Sequence, residues 1–147
     1  MFEQGGSNIF RRPTREQRRV VVTGIGAITP LGLNADTTWN ALVNGQTGIG
    51  PITHFDSSAF EVQFAGEVKG FDATQYIDKK EIKKMDRFIH LSMASAAMAL
   101  ADAGLTIDET LSYRSGSIIG VGIGGLPGIE ATHSTYLERG PSRISPF

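Results

Sequence analysis

Residues 18–32 read RRVVVTGIGAITPLG, and this stretch decides the fold. The three valines at 20–22 form an unbroken β-branched run, which is typical of a strand buried on both faces rather than a half-exposed one. Gly24 and Gly26 follow the run, and small residues there let another backbone approach closely. The sequence therefore predicts that the globular part begins at Arg18 with a buried strand that ends in a glycine turn.

The overall composition excludes several classes of function. The 147 residues suffice for one domain with a core, and the formal net charge of −1 gives no global attraction to nucleic acid or to an anionic membrane. No window approaches the roughly twenty apolar residues that a membrane span needs. The sequence contains no cysteine, which excludes a disulfide framework and favours a reducing, cytoplasmic location.

Residues 1–17 read as a flexible, polar N-terminal tail, and residues 18–147 as the folded domain. The arginines of the tail could form an arm that contacts RNA or a membrane, but a short solvated extension is the favoured interpretation.

Local signals predict the first helices and strands. Asn34 is a candidate N-cap for a helix that Gly45 ends, residues 46–58 read as a loop, and residues 60–68 alternate as an edge strand does. A helical region begins near residue 79. Within it, Asp86 is a candidate cap for a second helix that runs to Gly104 and is rich enough in alanine and methionine to be buried nearly all round.

The second half of the chain completes an alternating pattern. Residues 116–125 read GSIIGVGIGG, a further buried strand that runs into a glycine turn, and residues 129–138 predict another helix. The order β-α-β-α-β-α predicts a layered α/β fold with a mixed, largely parallel sheet. Because an apolar segment at 144–147 directly follows a turn, we expect the fold to be incomplete within this chain.

No catalytic group or metal site is recognisable in the sequence. A serine or threonine nucleophile would need a paired histidine base, but His54, His90 and His133 are isolated from one another and no G-x-S-x-G occurs. No HxxxH, HExxH or CxxC spacing exists either. We predict no catalytic residue, no metal and no cofactor, and we expect the three histidines to occupy loop or surface positions.

Residues 120–125 satisfy the G-x-G-x-x-G pattern of dinucleotide-binding turns. However, Pro127 and Gly128 are expected to delay the following helix, and no acidic residue ends a second strand about twenty positions further on. A nucleotide-binding α/β domain is therefore only a minor alternative.

Four cations recur at helical spacing: Lys80, Lys83, Lys84 and Arg87 stand at i, i+3, i+4 and i+7. Arg87 shares their face only if Asp86 leaves the helix unbroken. A solvated helix face is the simplest interpretation, but four like charges on one face repel one another unless an anionic partner offsets them. The spacing is therefore compatible with two interpretations, a solvated helix face and a surface that binds an acidic partner.

Taken together, residues 18–147 resemble the N-terminal third of the β-ketoacyl-ACP synthases, the thiolase-fold condensing enzymes of fatty acid synthesis, and in particular the bacterial type II enzymes. The stretch RRVVVTGIGAITPLG is similar to their opening strand, and the glycine turn is similar to their GSGIGGL segment. The resemblance implies a truncated thiolase-like domain, whose nucleophilic cysteine and catalytic histidines would lie beyond Phe147. The chain alone should then be inactive.

The resemblance also implies partners and site residues. Family members are homodimers that condense acyl groups with malonyl thioesters on acyl carrier protein (ACP). Lys80, Lys83 and Lys84 match the positions that dock the acidic helix of ACP, and Arg87 would join them. Ile123 matches the residue that gates the acyl pocket, although it could instead simply fill core. A non-catalytic ACP-binding module is the alternative to a portion of an enzyme.

Overall fold

The structure, a computed structural model, describes residues 19–145, so the predicted N-terminal tail lies outside the described residues. Helices form most of its regular structure. The elements are α1 (Ala35–Val43), β1 (Ile49–Pro51), β2 (Phe64–Gly66), α2 (Lys79–Ile82), α3 (Arg87–Asp102), α4 (Glu109–Ser112) and α5 (Leu126–Arg139), with single 3₁₀ turns at Ala73–Gln75 and Pro141–Arg143.

The first helix begins and ends where local signals predict. The Asn34 side chain accepts a hydrogen bond from the Thr37 N–H at 2.8 Å, and the Thr37 hydroxyl accepts one from the Asn34 N–H at 3.3 Å. This reciprocal pair is a capping box, which satisfies donors that the first helical turn would otherwise leave unpaired. The helix ends at Val43, and Gly45 follows with φ +65°. The predicted cap and stop are confirmed.

Glycines at 24 and 26 let the segment after the valine run lie directly against α3. A Cβ atom on Gly24 would lie 2.6 Å from the backbone nitrogen of Ala103, and one on Gly26 would lie 2.8 Å from that of Ala99. No real Cβ fits at such distances, so these two positions require glycine. The predicted close approach is confirmed, and its partner is a helix backbone.

The expectation that α3 is buried nearly all round is wrong for this chain. Ala94 is completely buried, but Met93 and Leu100 are partly exposed. The segment at 23–26 covers the C-terminal half of the helix, and the Ile25 N–H donates a 2.8 Å hydrogen bond to Asp102 Oδ2. The described residues cover one side of α3 and leave part of another side exposed to solvent.

The sheet within residues 19–145 differs from the predicted one. β1 and β2 pair antiparallel, with Ile49 opposite Gly66 and Pro51 opposite Phe64. β2 confirms the core of the predicted edge strand, whereas β1 lies in the region predicted as a loop. The two strands are close in sequence, so their pairing needs no strand from a distant part of the chain.

The two predicted buried strands have no ladder partner among the described residues. Val20 and Val22 are 91% and 81% exposed, and Ile118 is fully exposed. The expectation of a largely parallel sheet is therefore wrong for residues 19–145. The physical reason is that a β-branched run favours a strand only where neighbouring strands supply the hydrogen-bonding partners, and this part of the chain supplies none.

We predict that Gly26→Ala destabilises the chain. The new methyl group would meet the backbone of α3, which cannot yield as a flexible side chain can, so the free energy of unfolding should fall by about 1–3 kcal/mol. Urea titration followed by circular dichroism measures this. Gly50→Ala is the matched control, because nothing lies within 4 Å of its Cβ position. Equal losses in the two variants would contradict close packing at Gly26.

Candidate functional site

The helical region that bears the lysines breaks into two helices. α2 ends at Ile82, and tight turns follow, in which the Lys84 N–H donates to the Glu81 carbonyl at 2.9 Å and the Met85 N–H to the Ile82 carbonyl at 3.3 Å. Asp86 is extended, with ψ 159°, and is the N-cap of α3. Asp86 thus occupies the predicted N-cap position, but its side chain makes no capping hydrogen bond to α3. Residues 80–86 are called the lysine corner below.

The prediction that four cations share one helical face is wrong, because the helix is broken between them. Lys80 lies on α2, Lys83 and Lys84 lie in the turn after it, and Arg87 is the first residue of α3. An i, i+3, i+4, i+7 face needs one continuous helix, and the extended backbone of Asp86 interrupts it.

Arg87 is held by contacts within the chain. Its Nη2 donates a 2.9 Å hydrogen bond to the Val68 carbonyl, and its guanidinium carbon lies 5.9 Å from the centroid of the Phe71 ring. Phe71 in turn stacks on Tyr76 with ring centroids 6.3 Å apart. The arginine therefore fastens the start of α3 to the segment that follows β2, using both its planar donors and its affinity for an aromatic face.

The three histidines have different surroundings. His90 Nε2 lies 3.1 Å from the Ile82 carbonyl, so the ring donates a hydrogen bond that holds the end of α2 against α3. His90 is half-buried on α3, so the expectation of a loop or surface position is wrong for it. His54 is exposed in the loop after β1, and His133 is exposed on α5, as predicted.

A groove of about 890 Å³ separates the lysine corner from α5. Lys83, Lys84 and His133 line it, together with the carboxylate of Asp86 and apolar side chains that include Met85 and Ile129. Lys84 also forms a 2.7 Å ion pair with Glu81. The other predicted lysine, Lys80, borders a separate hollow, which it shares with residues 74 and 77–79. The structure thus brings two of the three predicted lysines to one groove. Sequence analysis missed His133 as a groove residue, since no spacing links α5 to the lysines.

Ile123 lies in the loop before α5 and is 80% exposed, so it fills no core among the described residues. It does not line the groove, although the adjacent Gly124 and Gly125 do.

The carboxylate of Asp86 lies against the glycine turn. Asp86 Oδ2 is 2.5 Å from the position of a Cβ atom on either Gly125 or Gly128, and Gly125 is the N-cap of α5 with φ +75°. A helix N-terminus favours an anion, and here a side chain of the protein supplies it. A nucleotide phosphate would have to displace a like charge, which argues against the dinucleotide alternative.

The expected delay of the last helix after the glycine turn is wrong. α5 begins at Leu126, with Pro127 in its first turn. Proline is tolerated there, because the first N–H groups of a helix have no intrahelical partner.

Glu67 is a buried carboxylate that organises the loop bearing His54. It accepts hydrogen bonds from the Thr53 hydroxyl at 2.6 Å and from the backbone N–H groups of Thr53 at 2.8 Å and His54 at 3.2 Å. These hydrogen bonds, the Thr53 hydroxyl first, lower the pKa of Glu67 from 4.5 to about 2. The carboxylate is fully satisfied, so it fixes the loop to β2 and is not a candidate acid or base.

Within residues 19–145, no group of three or more histidine, aspartate or glutamate side chains is placed so that it could hold a metal ion. Among the helices described, none is long and apolar enough to cross a membrane.

Comparison with known proteins identifies the family. Residues 17–147 match the family described as "Beta-ketoacyl synthase, N-terminal domain". The chain therefore belongs to the β-ketoacyl synthase family and corresponds to its N-terminal domain.

Curated relatives agree with this assignment. The chain is 51% identical over 132 residues to 3-oxoacyl-[acyl-carrier-protein] synthase 2 of Synechocystis sp., covering 90% of this chain and 32% of the relative. The same-named protein of Vibrio harveyi is 50% identical over 131 residues, with 89% and 32% covered. The chain thus spans about a third of the length of these relatives.

Solved structures show the fold. The ishigamide ketosynthase/chain length factor matches 88% of this chain and 32% of its own, with a TM-score of 0.70 and 31% identity. A β-ketoacyl synthase from Burkholderia phymatum matches 87% and 32%, with a TM-score of 0.60 and 27% identity. The predicted N-terminal part of a thiolase-like fold is confirmed.

We predict that acid unfolding of this chain depends on Glu67. Because its pKa is lowered in the folded state, its stabilisation is complete above about pH 4.5 and is lost as the pH falls towards 2. Glu67→Gln should therefore lower stability at pH 7 and flatten the stability profile across that window. Urea midpoints at several pH values measure this. Glu61→Gln, at an exposed position, is the control, and an unchanged profile for Glu67→Gln would contradict the assignment.

Proposed function

We propose that this chain supplies the N-terminal part of a β-ketoacyl-ACP synthase that acts in fatty acid elongation. The complete enzyme would take an acyl group from ACP onto a cysteine, decarboxylate malonyl-ACP and join the two units as a β-ketoacyl-ACP. The chain has no cysteine, so we assign it no catalytic residue and expect it to be inactive alone. Its roles would be carrier docking and one wall of the acyl pocket.

The lysine corner is the observation that carries the docking role. Lys83 and Lys84 border a groove that also contains apolar side chains, so the surface offers cations beside a place for an apolar stripe. An acidic amphipathic helix, such as the one that the resemblance assigns to ACP, presents the complementary pattern. Opposite charges would raise the association rate and set the orientation of the carrier, with strong salt dependence.

The contacts of Arg87 divide the four predicted cations into two roles. Arg87 contacts the Val68 carbonyl and the Phe71 ring. We therefore propose that it fixes the backbone next to the docking lysines and does not itself contact the carrier. Lys80, on α2, would extend the surface beyond the groove. Ile123 would gate the acyl pocket, and its exposure in this chain leaves its side chain available to meet the rest of an enzyme.

The proposal includes a homodimer, which the family resemblance implies, and a cytoplasmic location, which the absence of cysteine favours. The dimer is also consistent with the extent of exposed apolar surface, since the segments at 20–22 and 118–121 are apolar and uncovered.

The docking role can be tested by titrating the chain with ACP. We predict that the double variant Lys83→Gln/Lys84→Gln binds about tenfold more weakly and loses much of the salt dependence, because two cations that face an acidic partner are removed. Isothermal calorimetry at low and high salt measures both effects. Lys80→Gln, measured separately, reports whether the surface extends onto α2.

Arg19→Gln/Arg114→Gln is the matched control, since it removes the same net charge from two exposed positions outside the lysine corner. Equal losses in the two double variants would mean that only net charge matters. Unchanged affinity in the lysine variant would mean that these lysines are solvated surface residues with no role in docking.

A further inference from the structure

Asp86 does not use its side chain to cap the helix that it begins. It is the N-cap of α3, but its carboxylate makes no capping hydrogen bond there. Both carboxylate oxygens instead lie against the first turn of α5, at 2.5 Å and 2.9 Å from the position of a Cβ atom on Gly128. One side chain thus joins the start of α3 to the start of α5.

Phe88 makes a second junction of the same kind. Its ring atoms lie 3.0 Å from the position of a Cβ atom on Gly124, in the turn that precedes α5. By contrast, nothing lies within 4 Å of a Cβ atom built on Gly120 or Gly122. The glycine-rich segment therefore has two parts, an open first half and a second half whose missing side chains make room for Asp86 and Phe88.

We propose that Asp86 is a positioning residue that, together with Phe88, seats the glycine turn directly on the lysine corner. Asp86 is the last residue of that corner, and Ile123 is adjacent in sequence to the turn. A displacement of the backbone at Lys83 and Lys84 would therefore reach Ile123 through the contact between Asp86 and the turn. The seating stands on geometry alone. Its consequence, that carrier docking and the acyl gate are coupled, rests on the proposed function.

The electrostatic setting favours this seat. A carboxylate at the N-terminus of α5 interacts favourably with the unpaired N–H groups of the first turn. Gly125 adopts φ +75°, so the turn cannot carry an ordinary side chain at that point either. A smaller or larger group at position 86 would leave a gap or force the turn away.

A double-variant cycle tests the seating on the 147-residue chain. Gly128→Ala should speed amide hydrogen exchange at Ile129 on the order of tenfold, because the methyl group collides with the carboxylate that holds the turn. Ile129 reports the seat, since its N–H donates a 3.0 Å hydrogen bond to the Gly125 carbonyl. In an Asp86→Ser background, which keeps a good N-cap, Gly128→Ala should no longer speed exchange.

Two comparisons make the cycle decisive. Asp86→Asn keeps the shape of the side chain, so Gly128→Ala should still speed exchange in that background. Gly120→Ala is the matched control and should leave Ile129 unchanged in every background. If Gly128→Ala speeds exchange equally with Asp and with Ser at position 86, Asp86 does not seat the turn and the proposal is overturned. Asp86→Ala repeats the test should the serine variant fail to fold.

An NMR titration with ACP separates the coupling from the docking. In the unaltered chain, the amide signals of Lys84 and of Ile123, which does not line the groove, should shift with the same midpoint. In Asp86→Ser, the Lys84 shift should remain and the Ile123 shift should fall at least severalfold. A Lys84 shift without an Ile123 shift in the unaltered chain overturns the coupling. If neither signal shifts, both the docking and the coupling are overturned. The hydrogen-exchange cycle would still test whether Asp86 seats the glycine turn.

Discussion

Close backbone approach to α3 is the constraint on which the described structure depends. Near the C-terminal half of this helix, Gly24 and Gly26 bring a neighbouring segment so close that no Cβ atom would fit. At its start, Asp86 and Phe88 fill the space left by the glycines before α5. Glycine lacks a side chain in both places, and the helix backbone or its first side chains occupy the vacant volume. Packing of this kind tolerates little change, because interiors yield poorly to added atoms.

The same helix gives the candidate docking surface its rigidity. Arg87 binds the Val68 carbonyl, and His90 binds the Ile82 carbonyl, so both sides of the lysine corner are fastened to the body of the chain. A charged surface on a fixed backbone loses less conformational entropy when a partner binds than one on a mobile loop. Side chains that do not face the partner can therefore contribute to recognition by fixing the backbone that bears Lys83.

Elements that depend on neighbouring residues could be predicted from the sequence, whereas elements that depend on distant residues could not. The cap at Asn34, the helix start at Asp86 and the stop at Gly104 depend on neighbouring residues, and the structure has all three. The valine run at 20–22 favours a strand, but its pairing partners must come from distant segments, which residues 19–145 lack. The role of Arg87 was also hidden, because its contact with Val68 joins residues that are 19 positions apart. Helical spacing could predict where the guanidinium of Arg87 lies, but it could not reveal that this group already contacts Val68 and Phe71 within the chain.

The segments at 20–22 and 118–121 are apolar and uncovered in this chain, and the proposed condensing enzyme would cover them with the rest of its polypeptide. The most direct test is the intact mass of the protein isolated from its source with an antibody against residues 87–102. We predict a polypeptide well above the mass of 147 residues, or a second, cysteine-containing polypeptide that copurifies with it. A single species with the mass of the 147-residue chain and no copurifying polypeptide would contradict the account.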